Sequence, residues 1–173
     1  MGCAGGGPAC GAALEIGALV AKSEIEVRAP REVVFEVLTD AASYRIWVVG
    51  SKRIRGVDAN WPNPGSRFHH IVGWGPIENK DTTKVLELEP DRRILLEARL
   101  WPLGTATVEV VLEDCPKGTH VTLIEELRDG PARFLEGPPL QASLWARNMI
   151  GLRRLRDWSE QRYRSTPGVI PED

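Results

Sequence analysis

Few residues in this sequence could do chemistry, and they are scattered along the chain. Residues 66 to 75 read SRFHHIVGWG, two adjacent histidines inside an apolar run. Successive side chains of an extended strand point to opposite faces, so Phe68, His70, Val72 and Trp74 share one side, and His69 lies on the other with Arg67 and Ile71. The imidazoles are split, and His70 alone sits on the more apolar face, placed to contact a ligand or to act as a general base. Glu125 is the second such group. In HVTLIEELRD it shares parity with Val121, Leu123 and Leu127, where a carboxylate must be paired, protonated or facing a wet cavity. Asn148 or His70 is its expected partner, and Glu126, of opposite parity, is expected in solvent.

A metal site is not expected. His69 and His70 diverge, His120 lies on another strand with parity opposite to Glu125, and no HExxH pattern occurs. The sequence also lacks a P-loop, a GxGxxG, a GxSxG elbow and a paired-cysteine redox site.

The elements that must position these groups are mostly strands. SEIEVRA alternates, with Ile25 and Val27 on one face, and PREVVFEVLTD carries Val33, Val34, Val37 and Leu38 at helical spacing after Pro30. Asp40 is placed to cap a second short helix through Tyr44 to Trp47. Strands are predicted over about 50–57, 66–74, 77–89, 92–101, 105–114 and 119–128, separated by proline and glycine turns. Such short connections imply an antiparallel meander. Ile94, Leu96, Ala98 and Leu100 share a face, as do Ala106, Val108, Val110 and Leu112.

The last element runs from Gly137-Pro138-Pro139 to about Arg164, with Leu140, Leu144, Leu152, Leu155 and Trp158 on one stripe. So long an amphipathic helix must cover the concave side of the sheet. Asn148 and Gly151 interrupt the stripe, with Gln141 expected on the same side. A buried amide needs partners, since leaving it unsatisfied costs about 1–3 kcal/mol, and a glycine there leaves volume unfilled. Arg153, Arg154 and Arg156 fall mainly on the solvated flank of the helix. Tyr44, Trp47, Trp61, Trp74 and Trp101 are candidates for pocket walls.

With 173 residues, 42% hydrophobic and 27% charged, the chain suits one domain with a sizeable core. Its 22 basic and 24 acidic side chains give a net charge of -2, which offers no broad field for nucleic acid. Cys3, Cys10 and Cys115 support neither a disulfide framework nor a structural zinc, so a reducing cytoplasmic setting is expected. The apolar stretch from Ala9 to Ala21 contains Glu15 and is too short to span a bilayer. Residues 1–20, rich in Gly and Ala, are expected to be a disordered extension, 21–164 the folded domain and 165–173 a flexible tail.

The order of strand, two short helices, meander and long C-terminal helix resembles the helix-grip fold of the START-like, or SRPBCC, superfamily, which includes the polyketide cyclase/dehydrase family. The stretch EVRAPREVVFEVLTDAASYRIWVVG resembles that family's opening, and KVLELEPDRRILLEA and GTHVTLIEEL resemble its strand phrases. The resemblance covers about residues 22–160 and implies an α+β fold: a curved antiparallel sheet of about seven strands gripping the C-terminal helix. A hydrophobic cavity would lie between sheet and helix.

The expected lining is Phe68, His70, Val72 and Trp74, then Leu96, Ala98, Val108 and Val110 on the following strands. Leu123 and Glu125 continue it, and Leu144, Asn148 and Gly151 supply the helix side. The leading expectation is a cofactor-free cytoplasmic protein, monomer or homodimer, that binds a hydrophobic small molecule and neither nucleic acid nor, stably, a membrane. The alternatives are a cyclase or dehydratase using His70 or Glu125 as base, and a non-catalytic protein-interaction regulator with an exposed apolar rim. Two titratable groups converging on one cavity would favour the enzyme.

Overall fold

The structure, a computed structural model, describes residues 20–74, 77–100, 104–129 and 138–166. The expected extension, save Val20, and the tail beyond Thr166 lie outside the described residues, as does Trp101. The side chains of Trp74, Leu100 and Leu140 lie outside them too. The first strand, β1 (Val20–Val27), starts three residues before the alternating stretch that begins at Ser23. It leads into helix α1 (Arg31–Thr39), a 3-10 turn (Ala41–Ser43) and helix α2 (Tyr44–Trp47). Pro30 opens α1, its carbonyl accepting from Val33 and Val34, and the Asp40 carboxylate accepts from the Ala42 N–H at 2.9 Å. Six strands follow: β2 (Ser51–Val57), β3 (Arg67–Trp74), β4 (Ile77–Glu89), β5 (Arg93–Leu100), β6 (Gly104–Cys115) and β7 (Gly118–Asp129). Helix α3 (Pro138–Arg164) completes the fold.

All strand pairs are antiparallel, in the order β1-β7-β6-β5-β4-β3-β2. The meander therefore places each strand beside its sequence neighbour, and β1 closes onto β7. Register shifts in β2, between Val85 and Glu87 in β4, and between Thr105 and Ala106 each add local bend. α3 runs alongside β1. Near its start Gln141 Nε2 donates to the Val20 carbonyl at 3.3 Å, and near its end Glu160 accepts from the Arg28 N–H at 3.0 Å. Gln141 is thus exposed at the sheet edge rather than on the covered stripe.

The core fills only part of the space between sheet and helices. Its main cluster joins Val34, Val37 and Leu38 of α1, Leu152 and Leu155 of α3, and Phe68, Ile94, Val110 and Val121 of the sheet. A small separate cluster, Ala21, Ala106, Leu127 and Leu144, sits beyond it. Toward the second cluster, the register brings Ala98 beside Ala106, and Val108 beside Glu125, which in turn faces Ala21. Three alanines and a carboxylate across these two rows cannot fill what leucines would.

Candidate functional site

That gap is a cavity of about 400 Å³ among the described residues, lined by both layers, within the range of small-molecule sites. Val72, Leu96, Val108 and Leu123 give it apolar walls from the sheet. Tyr44 and Trp47 close one side from the short helices. Both aromatics are locked: Tyr44 Oη donates to the Leu38 carbonyl at 2.9 Å, and Trp47 Nε1 donates to Ser43 Oγ at 3.1 Å. Burial pushes the pKa of the Tyr44 phenol far above its ordinary value, so it serves as wall and not as general acid. Gly151 lets α3 approach α2, since a Cβ there would lie 3.2 Å from the Trp47 carbonyl oxygen. The glycine expected to leave empty volume therefore also permits close packing.

Polar groups gather at two places on this lining. On the helix side, Glu125 is 2% exposed. Its carboxylate accepts from Arg147 Nη2 at 2.5 Å on each oxygen and from Asn148 Nδ2 at 2.9 Å. Asn148 is thus the partner of Glu125, and His70 is not. Two consecutive helix residues reach one carboxylate because Asn148 faces the sheet directly while the longer Arg147 bends in from the flank.

The second group lies on β2, β3 and β4. His70 is buried, with Nδ1 3.3 Å from Ser51 Oγ and Nε2 3.4 Å from Thr83 Oγ1. Burial, then the charges of Arg55 and His69, push its pKa down to about 4, so the ring is neutral at pH 7. Asp81 stands directly opposite His70 across the β3–β4 ladder, where facing side chains start about 5 Å apart. It is 1% exposed: Oδ1 accepts from the Thr82 N–H at 2.8 Å, and Oδ2 has no partner among the described residues. Burial raises its pKa, with the Thr82 N–H and the Arg99 charge opposing.

The other expected site residues sort by position. Val72, Leu96, Ala98, Val108, Leu123 and Gly151 lie on the cavity with His70, Glu125 and Asn148. Phe68 and Val110 belong to the packed core and Leu144 to the small outer cluster. Trp61 stands behind the wall, edge-on to Phe68 and donating to the Thr39 carbonyl. His69 approaches Thr82 Oγ1 at 3.0 Å on the other face of β3. Arg153 and Arg154 are exposed, and Arg156 pairs with Asp157 at 2.9 Å. Asp81 and Arg147 carry much of the polarity and were not anticipated. Counting back by twos from the core residue Val85 reaches Thr83, Asp81 and Asn79, so parity held the signal for Asp81. Among the described residues, no group of three or more His, Cys, Asp or Glu could hold a metal ion.

A family model for Activator of Hsp90 ATPase homolog 1-like proteins matches residues 28–153. The chain belongs to this family. Every cavity-lining residue from Tyr44 to Gly151 falls inside the match. The helix-grip architecture of START-like, SRPBCC-type proteins is that of the family, and solved structures repeat it. One is the Zhui aromatase/cyclase from Streptomyces sp. R1128, at 19% identity and TM-score 0.66, with 87% of this chain and 98% of that one covered. The di-domain aromatase/cyclase StfQ of the steffimycin biosynthetic pathway matches at 18% identity and TM-score 0.65, covering 84% of this chain and 51% of that one. The Aha1 dimer from Colwellia psychrerythraea matches at 17% identity and TM-score 0.61, covering 82% and 96%. These likenesses establish the shared fold. No curated protein matches the sequence. No helix among the described residues of this family member is long and apolar enough to cross a membrane.

Proposed function

We propose that this member of the Activator of Hsp90 ATPase homolog 1-like family binds a hydrophobic small molecule, a lipid, polyketide or aromatic compound, in the cavity between sheet and C-terminal helix. The observation that carries this reading is the pairing of a 400 Å³ space with buried polar groups at its walls, one of which, Asp81 Oδ2, lacks a partner among the described residues. Apolar contact at about 25 cal/mol per Å² supplies the affinity, and the polar groups orient the guest. The protein works without a cofactor, in the cytoplasm, as a monomer or homodimer; sedimentation at several concentrations decides the last point.

Native mass spectrometry of gently purified protein is expected to reveal a co-purifying small molecule. In a panel of fatty acids, polyphenols and sterols, a ligand at a hundredfold excess over its Kd is expected to raise the melting temperature by roughly 5–10 °C. Val108→Phe, which fills the cavity, removes that shift while keeping the fold. A panel in which no compound moves the melting temperature defeats the reading.

A second reading, a cofactor-free cyclase or dehydratase, finds support in one observation. His70 and Asp81 converge on one lining with acidities displaced in opposite directions, the pattern that marks acid-base pairs. Against it, a pKa near 4 is far below the near-neutral value suited to a general base. Turnover of a polyketide-like substrate that vanishes in both His70→Gln and Asp81→Asn would favour the enzyme. The interaction-regulator reading gains nothing from the exposed Trp145 and Ile150. They lie five residues apart, about 140° around α3, and form no single patch.

A further inference from the structure

We propose that the cavity selects an elongated guest bearing oxygen at both ends, a hydroxyl at the β3–β4 end and a carboxylate or carbonyl at the α3 end. This rests on the binding reading above and specifies its ligand class.

The two polar groups cannot serve one ligand atom. Glu125 on β7 and Asp81 on β4 are three strand spacings apart across the sheet. Val85, level with Glu125 through Leu96 and Val108, lies four residues along β4 from Asp81. The separation is roughly 19 Å measured along the sheet. The lining between them includes Leu96, Ala98 and Val108, which offer a guest dispersion contact, with Thr83 and Arg99 nearer the Asp81 end.

Each end has capacity left over, of opposite kind. At the β3–β4 end, Asp81 Oδ2 is a buried acceptor without a donor among the described residues, a natural partner for a hydroxyl. The ring nitrogens of His70 meet only hydroxyls, at 3.3 and 3.4 Å. At the α3 end, every hydrogen bond of the Arg147 guanidinium among the described residues leaves from Nη2. Its remaining N–H donors suit an acceptor oxygen on the guest. A guest polar at one end only would lay its apolar tail against an unsatisfied group at the other, so the second oxygen is rewarded.

The test compares three probes of equal length by titration calorimetry: dodecanoic acid, dodecanol and hydroxydodecanoic acid with its hydroxyl on the terminal carbon. The hydroxy acid is expected to bind roughly tenfold more tightly than either parent. Asp81→Leu is expected to erase its advantage over dodecanoic acid. The paired change Glu125→Leu with Arg147→Met is expected to erase its advantage over dodecanol; circular dichroism confirms the fold of each variant. Equal affinity for all three probes overturns the two-ended guest and leaves the binding cavity standing. Failure of all three to bind wild-type protein, while Val108→Phe behaves identically, overturns both.

Discussion

A carboxylate as deeply buried as Glu125 survives because two donors from one helix converge on it. Removing Arg147 alone strands the charge, so Arg147→Ala is expected to cost about 3 kcal/mol in urea denaturation. The double change Glu125→Leu, Arg147→Met recovers most of that loss. His70 sets a pH dependence of definite sign. Unfolded, its ring takes a proton near 6.5; folded, near 4. Between these values the unfolded chain binds the extra proton, so stability is complete above pH 6.5 and falls as pH drops toward 4, by roughly 2–3 kcal/mol. His70→Gln should flatten the melting-temperature profile across that window. At this scale sequence reading succeeds where one polar residue breaks an apolar alternation, as His70 and Glu125 do. It fails for Asp81, set in the wholly polar run ENKDTTK, and for Arg147, whose position beside the stripe looks solvated until its length is considered.

Turns and close approaches decide how the elements lock together. Gly118, at φ +136°, starts β7 beneath the exit of β1, and a Cβ there would fall 2.3 Å from the Val27 carbonyl oxygen. Gly118→Ala is therefore expected to lower stability by roughly 2–4 kcal/mol, visible in thermal denaturation. On α3, Leu155 is fully buried in the main core cluster, and Leu155→Ala is expected to cost about 3 kcal/mol. The strands lie within about two residues of their predicted limits because proline or glycine punctuates almost every connection, and β parity then follows by counting. The place of Gln141 was not legible: helical angle alone puts it on the covered side, but it cannot show that the side chain reaches the sheet edge at Val20.

For the molecule as a whole, the sheet is a succession of neighbouring hairpins with one exception. β1 joins β7, and Thr119 Oγ1 donates to the Ala29 carbonyl 90 positions earlier in the chain. Hairpins need only short loops to form, whereas that last seam must wait for nearly the whole chain to be in place. The folding barrier is therefore expected to be crossed with the β4–β6 meander formed and β1 still loose. In stopped-flow kinetics Leu96→Ala on β5 should slow refolding, while Val27→Ala on β1 should chiefly hasten unfolding. Because β1 also carries α3 along its length, the seam that forms last would be the first to open, without global unfolding.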